Sequence, residues 1–259
     1  MRVALCQLNA RSDRDANLKT ATELLERAHE GGADLALLPE YADHLGPGAA
    51  ADDRWPAAMA EVAARLGMWV LAGSYHEAGP DPEHTYNTSL LLDRSGGVAA
   101  VYRKIHLYDV DIPGRVSYQE SASVSPGAEV VTASVDGVPV GLSICYDLRF
   151  PELYRRLAVE GGARVICVPA AFMAHTGRDH WEVLLRARAI ENQCYVLAAS
   201  QIGDHDPGRT CYGRSMVVDP WGTVVAQAPD AVGVVFADLD FERLDKIRAE
   251  LPSLANRRL

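Results

Sequence analysis

Several signatures are missing from this sequence, and each absence removes a class of function. There is no basic run and no zinc-finger or RNA-recognition signature, and the net charge is −10 at pH 7. Nucleic acid is therefore not an expected partner. No apolar stretch is long enough to cross a bilayer, and the apolar run at 3–6 is too short for a secretory signal, so no membrane partner is expected. No CxxC pair occurs. The five cysteines stand at positions 6, 145, 167, 194 and 211, odd in number and widely spaced. Reduced thiols in a cytoplasmic chain are the natural expectation. There is no HExxH motif, and His175 and His180 are too far apart in register to share one helical face. No metal and no cofactor are expected.

What is present suits one large domain. The chain has 259 residues, of which 48% are hydrophobic, enough for a sizeable core. One stretch organises it, Val138 onward to Ile144-Cys145-Tyr146-Asp147-Leu148-Arg149-Phe150-Pro151-Glu152. An apolar strand stops at a single cysteine, a polar turn follows, and Pro151 stands where a helix would begin, its missing N–H costing nothing there. A cysteine on such an elbow presents its sulfur at the sheet edge, with the N–H of Tyr146 beside whatever the sulfur attacks. Equally, Cys145 could be a small buried hydrophobe.

Periodicity predicts strands at 1–9, 35–38 and 69–74, helices at 15–30 and 56–66, a pocket-rim loop at 41–55, a polar turn at 77–83 and a hairpin of 85–92 with 98–102. The second half repeats the plan, with strands at 138–144, 165–168 and 195–200, helices at 151–160 and 179–192, and a hairpin of 214–218 with 223–227. Gly31-Gly32-Ala33 through Pro39 matches Gly161-Gly162-Ala163 through Pro169. Two such copies bury their apolar strands by packing sheet on sheet with helices outside. The expected fold class is α/β, a four-layer α-β-β-α sandwich forming a single domain over 1–259, with a doubly wound single sheet as the alternative.

Glu40 and Cys145 both follow strand ends, where such sheets place their sites. Lys104 follows the strand at 98–102, and Glu120 sits in Tyr118-Gln119-Glu120-Ser121. Each has an ordinary alternative: a helix-start carboxylate, a solvated lysine, a loop charge.

Together they resemble the nitrilase superfamily of carbon–nitrogen hydrolases. The motifs are Leu37-Leu38-Pro39-Glu40, Tyr102-Arg103-Lys104-Ile105-His106-Leu107, Ile144 through Glu152, His180-Trp181-Glu182 and Asp219-Pro220-Trp221-Gly222. The likeness runs from 3 to about 251 and is strongest to the branch of omega-amidase and deaminated glutathione amidase. Positions 180–191 look closer to the latter, and 109–114 through Glu120-Ser121 closer to the former. The resemblance implies the same sandwich and a Cys145–Glu40–Lys104 set, with Glu120 as the second glutamate holding Lys104. It also implies at least a homodimer, paired through the helix at 179–192 and the tail at 252–259.

The chemistry is coherent in itself. A thiol needs a base, and Glu40 would supply it. Lys104 and the Tyr146 N–H would stabilise the oxyanion. Ammonia would leave, and water would release the acid from a thioester. Arg149, four residues after the nucleophile, could grip a substrate carboxylate or instead brace Asp147 or Glu152. Phe172 and Thr176, on the loop after the strand at 165–168, would wall the acyl chain and add a hydrogen bond. The expected substrate is a small linear amide bearing a carboxylate. Alternatives are a carbamoyl-amide hydrolase or nitrilase of the same superfamily, a non-catalytic binding protein on this scaffold, and a Cys–His protease using His106.

Overall fold

The computed structural model describes residues 1–114, 116–205 and 208–258. The first half runs β1 (Arg2–Gln7), α1 (Arg14–Glu30), β2 (Leu35–Leu37), α2 (Arg54–Leu66), β3 (Trp69–Leu71), β4 (Tyr75–Ala78), β5 (Thr85–Leu92) and β6 (Val98–Arg103). A hairpin of β7 (Asp109–Ile112) and β8 (Val116–Gln119), then short β9 (Val124–Ser125), lead across. The second half runs β10 (Thr132–Val135), β11 (Val138–Leu142), α3 (Pro151–Val159), β12 (Val165–Cys167), α4 (Ala174–Asn192) and β13 (Tyr195–Ala198). It continues with the hairpin β14 (Ile202–His205) and β15 (Arg209–Tyr212), then β16 (Met216–Val218) and β17 (Val224–Gln227). Finally β18 (Gly233–Asp238) returns to pair antiparallel with β1, and α5 (Phe241–Glu250) follows.

The repeat is real in three dimensions. β1, β2 and β3 are parallel neighbours, and β5 closes on β3 antiparallel. β11, β12 and β13 are likewise parallel, closed by antiparallel β16. Side chains alternate across each sheet, which is what forces four layers. Val3, Leu5, Leu35, Leu37 and Leu71 share one apolar core with Val140, Leu142 and Val165 of the other sheet. Ala4, Cys6, Ala36, Leu38 and Val70 face the other way, onto Leu24 and Leu25 of α1 and Met59 and Val62 of α2. Strands covered on both faces need continuous apolar runs, and these strands have them.

Local signals set the ends of the helices. The Asp13 side chain accepts from the amides of Asp15 and Ala16 and caps α1. Pro151 occupies the first turn of α3. Two expectations need correction. α4 begins at Ala174 rather than 179, so Thr176 lies in a helix and not on a loop. Glu77 belongs to strand β4, because its segment pairs with β5 instead of turning. The stretch 77–83 is therefore a turn only in its later part. The expected tail ends at Leu259, which lies outside the described residues.

Candidate active site

Strand ends from both halves meet over one cavity of about 210 Å³. After β2 the chain turns at Glu40 and Tyr41, Tyr41 taking a left-handed φ of 52°. The turn is held from behind. Ser74 donates its amide to the Pro39 carbonyl (3.2 Å) and its hydroxyl oxygen accepts from the Tyr41 amide (2.9 Å). Gly73 makes this approach possible, since any Cβ there would strike the Pro39 carbonyl oxygen. Gln201, from the other half, donates to the Glu40 carbonyl at 2.9 Å.

The elbow at Cys145 is a tight 3₁₀ turn, Cys145–Arg149, entered at a φ of 44° on the cysteine itself. For a residue with a Cβ, that conformation costs on the order of 1–3 kcal/mol. Asp147 repays part of it. Buried beneath the elbow, its carboxylate accepts from the Ile144 amide (2.8 Å), the Tyr102 hydroxyl (2.6 Å) and the His106 amide (3.0 Å). His106 Nδ1 also lies 2.7 Å from it. His106 is thus a strut between the elbow and the Lys104 loop, its ring stacked on Phe150, and it is not among the residues that line the cavity of Cys145. The Cys145 amide is tied to the Pro169 carbonyl at 2.8 Å.

Lys104 lies where the strand β6 ends, its amide donating to the Asn87 carbonyl (2.9 Å). Its ammonium is fully buried and donates to Glu40 Oε1 (2.8 Å) and Glu120 Oε2 (2.9 Å). Glu40 Oε1 also accepts from Asn87 Nδ2 (2.9 Å), and Oε2 from the Ala171 amide (2.8 Å). Glu120 accepts from the Tyr41 hydroxyl and the Tyr108 amide, both at 2.6 Å. Burial alone would lower the Lys104 pKa, but the charges of Glu120 and Glu40 outweigh it and hold the ammonium well above its usual range. Burial alone would raise Glu120, yet the Lys104 charge and its hydrogen bonds bring it below the usual carboxylate range. These two groups are therefore a fixed ion pair.

The thiol behaves differently. Burial first, then the Glu40 carboxylate, push the Cys145 pKa well above that of a free thiol, while Lys104 pulls it down. At neutral pH the resting group is a thiol, and a sulfur attacking from here would have to lose its proton as it did so.

Tyr146 and Arg149 lie on the same turn as Cys145, and Phe172 and Thr176 also line the cavity. The Arg149 guanidinium sits 5.0 Å from the Phe172 ring centroid and donates from Nη1 to His180 Nδ1 at 3.1 Å. Among the described residues it pairs with neither Asp147 nor Glu152. Asn87, Tyr41 and the Ala171 amide escaped the sequence reading. Asn87 is one polar residue inside a strand and nothing local marks it, whereas Tyr41 had a signal in its place directly after Glu40.

A model of the carbon–nitrogen hydrolase family matches residues 2–249. A deaminated glutathione amidase of Homo sapiens is 44% identical over 268 aligned positions, covering 99% of this chain and 82% of that protein. The crystal structure of the Caenorhabditis elegans NitFhit protein superposes with a TM-score of 0.93 at 41% identity, covering 99% of this chain and 65% of that one. A mutant of an amidase from Nesterenkonia superposes with a TM-score of 0.78 at 30% identity, covering 97% of this chain and 98% of that one. In it, acrylamide has added to the active-site cysteine.

Proposed function

Because the chain belongs to the carbon–nitrogen hydrolase family and is a hydrolase of carbon–nitrogen bonds other than peptide bonds, we propose that it is an amidase for a small linear amide bearing a carboxylate, working through a thioester on Cys145. The observation that carries this reading is the meeting of the Cys145 thiol, the Glu40 carboxylate and the Lys104 ammonium in one buried cavity, with an arginine at its wall. Glu40 takes the thiol proton as sulfur attacks the amide carbon. Lys104 and the Tyr146 amide face the oxygen that becomes negative. Glu120 cannot serve as a second base while it is locked to Lys104, Tyr41 and Tyr108, so it positions Lys104. Glu40 then protonates the departing nitrogen, activates water against the thioester and returns the proton to sulfur.

Among the described residues Arg149 has no carboxylate partner, and its guanidinium lies over the Phe172 ring, which suits a substrate carboxylate. The omega-amides of 2-oxo or dicarboxylic acids, and deaminated glutathione, carry one at this reach. Losing a charged hydrogen bond costs about 1.5–3 kcal/mol. Arg149→Ala should therefore lower kcat/KM for a 2-oxo dicarboxylate monoamide, relative to a neutral amide of equal length, by about 10- to 150-fold. Equal losses on both would assign Arg149 to the fold instead.

The five free, buried cysteines fit a reducing, cytoplasmic setting. No helix among the described residues is long and apolar enough to cross a membrane. Two copies pair, in this reading, over the apolar side chains left on α4 and the β16–β17 turn: Val183 (66% exposed), Ile190 (49%) and Trp221 (57%). Light scattering at micromolar concentration should give a dimer or larger; a 28.0 kDa particle would contradict it.

A further inference from the structure

Glu40, Lys104 and Glu120 meet beside Cys145, and one residue of β5 touches all three. Asn87 is 1% exposed. Its carbonyl accepts from the Lys104 amide at 2.9 Å. Its side-chain Nδ2 donates to Glu40 Oε1 at 2.9 Å and reaches Glu120 Oε1 at 3.3 Å. It is not among the residues that line the cavity, so it acts through the others. Chemistry fixes which end of the amide faces the acids, because only the NH₂ can donate to two carboxylate oxygens. That orientation leaves Oδ1 buried with no hydrogen-bond partner among the described residues. An orphaned buried acceptor destabilises the fold, and a leucine of similar size would avoid that cost. Packing therefore does not explain the asparagine; its two N–H groups do.

Those N–H groups decide which oxygen of Glu40 is open. A carboxylate oxygen has two lone pairs. On Oε1 the Lys104 ammonium (2.8 Å) and Asn87 occupy both. On Oε2 the Ala171 amide (2.8 Å) occupies one. The same amide favours the Cys145 thiolate, so Oε2 lies on the sulfur's side. Without Asn87, Oε1 would gain an open lone pair, where a proton is of no use to the sulfur. The groups that face Glu40 are Lys104, Glu120, the Tyr41 hydroxyl, the Cys145 thiol and the Cys211 thiol. Lys104 is the one cation in that set, so a single positive charge serves two acids, and a neutral donor shared between them relieves their repulsion.

We propose that Asn87 is the positioning residue of the base: it fills Oε1 of Glu40 so that Oε2 takes the thiol proton, and it keeps Glu40 and Glu120 charged side by side around one ammonium. This rests on the amidase reading above. The proton passes from sulfur to Oε2 as the sulfur–carbon bond forms. It passes from Oε2 to the departing nitrogen as the carbon–nitrogen bond breaks.

The test is the pH profile of kcat/KM for a 2-oxo dicarboxylate monoamide, compared among wild type, Asn87→Leu and Asn87→Asp. This parameter reports the free enzyme, and its acid limb belongs to the Glu40–Glu120 pair. A donor to a carboxylate favours the charged form, so losing it moves the limb to higher pH. Asn87→Leu should move it up by about one to two pH units. Asn87→Asp keeps the shape of the side chain but sets a third carboxylate against the pair, and should move the limb at least as far. A residue that only shaped the fold would lower activity at every pH and leave the limb in place. Wild type supplies a second measurement should either variant fail to fold. With asparagine labelled by nitrogen-15, the Asn87 side-chain amide resonance should titrate with the midpoint of the wild-type limb. A limb that stays put in the folded variants, or an Asn87 resonance indifferent to pH across it, would overturn the assignment while leaving the amidase reading intact. Turnover of no amide by wild type would overturn both.

Discussion

The two halves of the chain place the same backbone at the same point and put different chemistry on it. Val3 stands beside Leu35 in one sheet as Val140 stands beside Val165 in the other. Five residues further on, Leu8 and Cys145 occupy matching strand ends, and the Pro39-to-Pro169 match sets Glu40 against Ala170. The first half has a buried leucine where the second has the thiol. The second half has an alanine where the first has the carboxylate. In the proposed site each copy thus supplies one reactive group and one inert one, and only the face-to-face packing of the sheets brings acid and sulfur together. The duplication brings matching strand ends of the two halves to one cavity, and different residues at the matched positions give that cavity an acid and a thiol.

Exchanges at the matched positions can break this comparison. Glu40→Gln keeps the shape of the turn and removes the proposed base, so kcat should fall by about 10²–10⁴-fold, read as ammonia release from a primary amide at saturating substrate. A residual rate near wild type would mean the thiol finds its base elsewhere. Leu8→Ala acts at the equivalent of Cys145 but on packing alone. It should lower stability by about 2–5 kcal/mol, seen as a lower denaturant midpoint, with far less loss of turnover per folded molecule than Glu40→Gln causes. A catalytic loss as large as that of Glu40→Gln would show that the halves are not divided as described.

Much of this was legible in the sequence because buried strands on both sides of a sheet must be apolar throughout, and the paired glycines and prolines bound them. The segments that were not legible are those whose partners lie far along the chain. β7 alternates exposed and half-buried residues, and β14 and β15 are short and polar, so neither hairpin leaves an apolar run. β18 is held by β1, more than 200 residues away, and no local pattern announces that. The first turn of α4 was hidden by Gly177, which reads as a helix breaker. It is there because any Cβ would strike the Tyr212 ring. Of the site, position alone left Glu40 and Cys145 with ordinary alternatives, and it was the family motifs around them that singled them out. Asn87, which donates to both Glu40 and Glu120, lies mid-strand and becomes meaningful only when β5 is seen passing beneath them.

The central claim is that Cys145 carries the acyl group during turnover. It is tested most directly by acid-quenching the enzyme during turnover of a 2-oxo dicarboxylate monoamide and mapping the mass of its peptides. The account predicts an added acyl mass on the peptide bearing Cys145, absent from Cys6, Cys167, Cys194 and Cys211, and lost along with all turnover in a folded Cys145→Ala variant. An adduct on another residue, or full activity in that variant, would contradict it.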